Sequence, residues 1–576
     1  MTTTGIIVIA AMVVAAVASA VIGAYGVRAR RSTSDFLVAS RTVNPAANAA
    51  AISGEYLSAA SFLGVAGLIL RDGVDALWYP VGFAAGYLAL VFFVVAPLRR
   101  SGAYAVPDFA EVRLHSPLLR RICTAVVIAI GWLYLLPQLQ GAGLTLTTAT
   151  GLPYALGSVA AATVVVGSVL IGGMRSVTFV QAFQYWLKFS ALAIPTLVAL
   201  VYFFGDHRTF NRPAPPTLAR QTTVWIHTDV TLQVTAPTTL TATGRVDGTD
   251  ASDTTLTWNP GLHTVESGAV LGFPAGTATP VVQDAPVHDD TWLRPNASSN
   301  GYGLLGTYSL LLATFLGTMG LPHVLVRFYT NPDGRSARRT AVFVLALIGI
   351  FYVAVTAIGA LSRLYTPQLL ISGDVDAAVL LLPQAVLGSG PLGIALGAVV
   401  AAGAWATFLA TSSGLVVSIA GVLATDVIGS GRPHVLRVAT IIGGLVPLLI
   451  SQIVMHMEFG EAVALVFAMA ASTFCPLLVL GIWWRGLTAP GASAGVAVGG
   501  VLSGAAIAMS LIGVTASGWV GVLLLRPAIV SVPAAFLTMV VVSLLTANRR
   551  PAGVELLLLR LHAPERLGLG RAGSAS

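Results

Sequence analysis

The feature that most restricts this chain is the recurrence of apolar runs long enough to cross a bilayer. A spanning helix needs about 20 such residues. Thirteen runs qualify: 5–27, 46–70, 76–97, 122–150, 155–174, 178–204, 303–328, 340–363, 391–424, 436–456, 460–483, 488–513 and 519–546. They are spans 1 to 13 below. Charged residues make up 9% of the 576 and hydrophobic ones 56%, whereas a soluble domain carries about 25% charged residues. So little charge cannot coat a soluble globule of this size. A cytosolic enzyme, a nucleic-acid binder and a disordered scaffold are excluded, and an all-α polytopic membrane protein is predicted. Cys123 and Cys475 stand alone in apolar segments, so neither a disulfide framework nor a zinc site is suggested, and no cofactor is expected.

Charge predicts the orientation. Span 1 has no basic residue before it and is followed by Arg28, Arg30 and Arg31, the reverse of a signal peptide. With the N-terminus outside, 23 of the 31 Lys and Arg residues fall on the inner side. The short outer loops hold only Arg71, Arg363 and Arg526, and five more lie in the stretch 205–302. Lys/Arg enrichment marks the cytoplasmic side, so a multi-pass plasma-membrane protein with an outer N-terminus and a cytoplasmic C-terminus is expected. The chain then divides into spans 1–6 (1–204), an extracellular insertion (205–302), spans 7–13 (303–547) and a cytoplasmic tail (548–576). The insertion holds nine acidic and five basic residues. Its apolar/polar alternation through Val224–Val234 and Leu240–Val246 predicts half-buried strands, hence a small β-rich module.

Ionisable residues at membrane depth are costly and few. Glu55 lies mid-span in Ser53-Gly-Glu-Tyr-Leu-Ser58. It reads either as a protonated or hydrogen-bonded carboxyl or as a cation or proton group. Lys188, the only lysine in the chain, is expected to snorkel to the inner surface. Span 7 carries two glycines and a proline in Thr314–His323, which predicts local unwinding, and span 2 has a similar interruption at Ser53/Gly54. Broken helices at matching places in two halves point to a midplane transport site. They fit inverted five-span repeats, spans 2–6 and 7–11, with spans 1, 12 and 13 peripheral. Span 9 carries Thr407, Thr411, Ser412, Ser413 and Ser418, hydroxyls that either pack and bond back to their own helix or serve as hard oxygen ligands.

Four motifs in order resemble the sodium/solute symporter family. They are Ser34-Asp-Phe-Leu-Val-Ala-Ser-Arg41, Ser53-Gly-Glu-Tyr-Leu-Ser-Ala-Ala-Ser-Phe-Leu-Gly64, Gly172-Gly-Met-Arg-Ser-Val-Thr-Phe-Val-Gln181 and Gly317-Thr-Met-Gly-Leu-Pro-His-Val-Leu-Val-Arg327. The second and fourth most resemble the cation/acetate symporters and monocarboxylate permeases. The resemblance covers the membrane part and not the insertion. It implies a LeuT-like 5+5 inverted repeat of about thirteen helices, with alternating access driven by a sodium or proton gradient. It assigns a Na⁺ site to the carbonyls of Gly54 and Leu57 and to hydroxyls on span 9. Those hydroxyl positions fall on Ala410 and Thr411, so one oxygen is missing, and Ser412 is a neighbouring candidate. Gln181 stands where many sodium-coupled members have an acid. The substrate is expected near Glu55, Tyr56 and Ser58 on span 2 and Thr314, Thr318 and Met319 on span 7.

The leading expectation is a symporter for acetate or another short monocarboxylate, with Na⁺ or H⁺ and the bilayer as its other partners and no nucleic acid. Rivals are a symporter for another small organic solute, such as an amino acid, and a non-transporting solute sensor. The sensor would act through the outer module or a small membrane-protein partner. No HExxH motif occurs in the spans, and the GxSxG match Gly491-Ala-Ser-Ala-Gly495 lies inside span 12, where small residues at this spacing pack helices rather than form a strand-to-helix elbow, so no enzyme is supported.

Overall fold

The computed structural model describes residues 3–27, 44–206, 209–210, 214–296, 301–328, 330–331, 333–429, 432–454, 457–514 and 516–563. The motif Ser34–Arg41 and the last residues of the tail lie outside them. Among the described residues, twelve helical runs are long and apolar enough to cross a membrane. This count and the thirteen expected spans differ at one place. Spans 2 and 3 are not two clean helices. They comprise α1's successor α2 (Pro45–Tyr56), a wide π-turn (Ala60–Gly64), α3 (Val65–Asp72) and α4 (Trp78–Phe93), where α1 is Thr3–Val27.

The remaining spans are α5 (Pro117–Thr150), α6 (Tyr154–Gly205), α7 (Gly303–Thr318), α8 (Pro322–Phe328), α9 (Gly334–Tyr365), α10 (Pro391–Val422), α11 (Pro433–Ser451), α12 (Phe459–Trp483), α13 (Ala489–Leu511) and α14 (Ala528–Leu545). Spans 5 and 6, expected as separate runs ending at 174 and starting at 178, follow each other inside α6 with continuous helical backbone. The most enclosed runs are α12, α10 and the α7–α8 pair. They form the centre, while α1, α13 and α14 expose much of their apolar surface. Small residues permit this packing. A Cβ on Gly317 or Gly320 would run into the backbone of α12 at Phe467 and Ala470.

The insertion folds as a seven-stranded antiparallel sheet. Its strands are β1 (Thr222–Trp225), β2 (Val230–Val234), β3 (Thr238–Val246), β4 (Thr249–Trp258), β5 (Gly261–Val265), β6 (Val270–Phe273) and β7 (Val281–Val282). The order is β1-β6-β3-β5-β2-β7, with β4 on the free side of β3. Alternation in β3 buries Leu240, Ala242 and Val246. Ile371, from the bundle, completes that core.

Two contacts rivet the insertion to the bundle. Trp292 donates its indole N–H to the carbonyls of Ile69 (2.8 Å) and Leu70 (3.1 Å) at the end of α3. Buried Arg363 pairs with Asp289 at 3.2 Å and also donates to Leu70 O at 3.3 Å. Gly73 follows α3 with φ +64°, and a side chain there would strike Trp292. Only glycine combines that backbone angle with that approach.

Candidate functional site

Two helix breaks meet in the interior. The first lies at Leu57–Ser58, three to four residues beyond the expected interruption at Ser53/Gly54. It ends α2 and leaves the carbonyls of its last turn without helical partners. Other helices supply them. Lys188 Nζ, on α6, donates to Gly54 O and to Leu57 O, both at 2.6 Å. Thr411 Oγ1, on α10, donates to Glu55 O at 2.7 Å. On the far side of the break, the Ala59 N–H donates to Gln138 Oε1 at 2.9 Å.

The lysine therefore does not snorkel. It is wholly buried, as is Arg327, so two residues counted above for the inner face are in fact enclosed by protein. The expectation failed because it weighed only the distance to the membrane end. A helix C-terminus, with its partial negative charge, gives an ammonium a nearer berth.

The second break, Met319–Leu321, separates α7 from α8. Pro322 cannot continue α7 but suits the first turn of α8. Thr318 bonds back to Thr314 O (2.7 Å) and Thr314 to Leu310 O (2.9 Å). The breaks are joined by one hydrogen bond, Tyr56 Oη to Thr318 Oγ1 at 3.1 Å.

The six residues expected around substrate separate into three groups. Tyr56 and Thr318 touch, and Ser58 accepts from Tyr134 Oη at 3.3 Å. Thr314 and Met319 are buried beside them, Thr314 bonded to its own helix. Glu55 is committed elsewhere. Its carboxylate pairs with Arg327 Nε, and Arg327 also donates to Thr178 Oγ1 (2.9 Å) and Gln181 Oε1. Gly414 leaves room for that carboxylate, since a Cβ there would overlap it. Ser412 is buried close to Thr411 in sequence.

Residues not singled out from the sequence complete the site. Rings of Phe83, Tyr87 and Phe467 pack against Tyr56 with centroids 5.5–6.4 Å away. Tyr134 meets His323 edge-on at 5.1 Å. His323 is buried, and neither ring nitrogen has a hydrogen-bond partner. The "Pro-His" of the fourth motif was the available signal for it. The site is thus a packed aromatic cluster with hydroxyls and one imidazole.

The family resemblance implies Na⁺ at Gly54, Leu57 and Thr411, and the donor set does not fit. Both carbonyls already bind an ammonium, and Ala410 offers no oxygen.

Cavities open at opposite ends of the bundle. One, of about 610 Å³, lies under the insertion and is lined by Arg71, Asp72, Tyr79, Asp376, Glu458 and Arg526 among others. There Arg71 pairs with Asp72 (2.7 Å), Glu458 and Glu461 (3.4 Å). Asp376 accepts from the Phe459 N–H at 3.0 Å, and burial pushes its carboxyl up to about 7. The other, of about 390 Å³, is lined by Asp108, Arg120, Ser418 and Asp426 among others. Arg120 bridges Asp108 and Asp426 at 2.7 Å each.

Comparison with known proteins now decides the family. The model of the sodium:solute symporter family matches residues 36–239 and 275–499. The chain belongs to the sodium:solute symporter family. It is a secondary active symporter by family, not an enzyme. It is 29% identical over 539 residues to a monocarboxylic acid transporter of Corynebacterium glutamicum, covering 88% of this chain and 86% of that one. It is 28% identical over 535 residues to the uncharacterized symporter YwcA of Bacillus subtilis, covering 89% of each. Its fold is that of a Na⁺-coupled sialic acid symporter in a substrate-bound outward-open state. That match has a TM-score of 0.62 at 13% identity, covering 94% of this chain and 98% of the other.

Proposed function

We propose that this symporter carries acetate or another short monocarboxylate inward by alternating access, coupled to a Na⁺ or H⁺ gradient. The observation that carries the reading is the aromatic cluster at the junction of the two breaks. Phe83, Tyr87 and Phe467 pack around Tyr56, and the nearby His323 imidazole has neither nitrogen partnered among the described residues. An unpartnered buried polar group is expensive, and a ligand that bonds to it relieves that cost. A His323 ring N–H can donate to a carboxylate, and Tyr134 and Ser58 offer hydroxyls nearby. The short acyl tail then meets aromatic walls. The transport substrate of the corynebacterial relative agrees with this chemistry.

Under this reading, the Arg71 and Arg120 ion-pair clusters close the site at its two ends in turn. Spans 2–6 and 7–11 form the two inverted repeats, and the N-terminus lies outside the plasma membrane. The substrate set is Tyr56, Ser58, Thr314, Thr318 and Met319, with His323 added and Glu55 reassigned to holding Arg327.

The test is uptake of radiolabelled acetate into liposomes containing the purified protein, with pyruvate and propionate as competitors and with Na⁺ and H⁺ gradients imposed separately. Gradient-driven accumulation that Tyr56→Ala and Thr318→Ala both abolish is the expected result. Normal uptake in both variants would sink the site. No accumulation under either gradient would turn attention to another solute or to a sensor.

A further inference from the structure

We infer that the Lys188 side-chain nitrogen is tethered into this chain's own ion site, so that the protein neither needs nor binds sodium at the break of span 2. This deepens the symporter reading and rests on it.

The argument starts from the carbonyls. A helix that stops inside a protein must have its last carbonyls satisfied, and no water need be present at this depth to do it. In this chain the Lys188 ammonium takes two of them at 2.6 Å, Gly54 O and Leu57 O. Those are the same two oxygens the family resemblance assigns to Na⁺. Thr411 keeps its hydroxyl but directs it to Glu55 O at 2.7 Å, and Ala410 supplies nothing.

The sequence shows the same choice in another form. Thirty of the thirty-one basic residues are arginine, and the single lysine stands here. A compact ammonium with three donors can replace a spherical ion between two carbonyls. A planar guanidinium, with its donors in a rigid fork, cannot.

Packing brings the lysine to its place. Gly54 lets α2 touch the backbone of α6, because a Cβ there would meet Gln181 O. Gly403 on α10 lies 3.4 Å, from its would-be Cβ, to the Cα of Lys188. Thus α2, α6 and α10 close around one Nζ. The surrounding charge is consistent with a permanent occupant. Arg327 is already bonded to Glu55, Thr178 and Gln181, which leaves Lys188 to serve the break. A sodium ion binds and leaves with each cycle. An ammonium on a side chain cannot leave, so a sodium gradient delivers no energy through these oxygens.

The test uses full-length protein purified in detergent, with Na⁺ itself as probe. Thermal midpoints are measured in NaCl and in choline chloride at equal ionic strength. The wild type should show the same midpoint in both. Lys188→Ala should melt lower in choline and recover part of the loss in Na⁺, because the vacated carbonyls and Thr411 then face a cavity that an ion can fill. A second measurement needs no variant. As the only lysine, Lys188 can be followed by mass spectrometry after reductive methylation, and its labelling should be slow and indifferent to Na⁺.

A saturable, Na⁺-specific rise in the wild-type midpoint would overturn the inference, as would Lys188 labelling that Na⁺ accelerates. A folded Lys188→Ala protein as stable as wild type in choline and unmoved by Na⁺ would also overturn it. The symporter reading fails separately, by absent monocarboxylate uptake in every gradient, whatever the Na⁺ titration shows.

Discussion

The two helix breaks face the same problem and meet it in opposite ways. At Leu57–Ser58 the freed backbone groups are bonded by side chains from α5, α6 and α10: Gln138, Lys188 and Thr411. At Met319–Leu321 Thr314 and Thr318 bond back within α7, Thr318 also meets Tyr56, and His323 on α8 keeps two ring nitrogens without partners among the described residues. The backbone groups named at the first break have partners without a ligand, although Ser53 Oγ and Glu55 Oε1 beside it have none among the described residues. The second lacks something that a ligand can bring. The difference separates a structural cation from a recognition group, although both are buried basic side chains.

The comparison breaks most readily at the ion pair beside the first break. Replacing Arg327 by Met leaves the Glu55 carboxylate buried and unpaired. Losing one member of a buried pair costs about 3–5 kcal/mol, so the variant should be poorly folded, with a thermal midpoint far below wild type. An Arg327→Met protein of unchanged midpoint would remove the ion pair from the description of the first break.

His323→Phe should do the reverse. It removes two unsatisfied nitrogens and keeps the ring contact with Tyr134, so stability should be unchanged or slightly higher. Binding of acetate should weaken by at least about tenfold, a loss of about 1.4 kcal/mol. A fall in stability with normal binding would reverse the roles given to the two breaks. Tyr56→Phe cuts only the bond between them, worth about 1 kcal/mol, and should lower the midpoint by a small amount readable against the His323 variant.

The smallest effect lies outside the spans, at Asp376. Burial raises its carboxyl from the usual 3.8 to about 7, with nearby Asp374 and Glu461 adding to the rise and Arg71 opposing it. The folded protein therefore holds this proton more tightly than the unfolded chain. Stability is full below about pH 4 and is lost as pH rises toward about 7. Asp376→Asn should flatten that part of the midpoint–pH curve. An unchanged slope would show that other groups set it.

Periodicity and hydropathy made the spans legible, because each obeys one rule, an apolar run of bilayer length. The strands of the insertion were legible for a similar reason: β3 alternates along its own sequence. The break in span 2 was read three to four residues early, since Gly54 marks a close approach to Gln181 rather than the unwound point. Lys188 was misread, and His323 stood in a quoted motif without a role. Both depend on partners far along the chain, 134 residues in the case of Gly54. Span 9 shows the same limit in one helix: Thr411 reaches α2, while Thr407 and Ser413 bond back to their own backbone. Local pattern is the same for all three.

The rivets between sheet and bundle carry a mechanical consequence. Trp292 and Asp289 hold the insertion to the ends of α3 and α9, and α3 is one half of a broken helix. If that half tilts during the cycle, the sheet must travel with it like a lever arm or let go of Leu70. An antibody fragment that fixed the sheet against the bundle would then act as a brake, slowing turnover without entering the transport path.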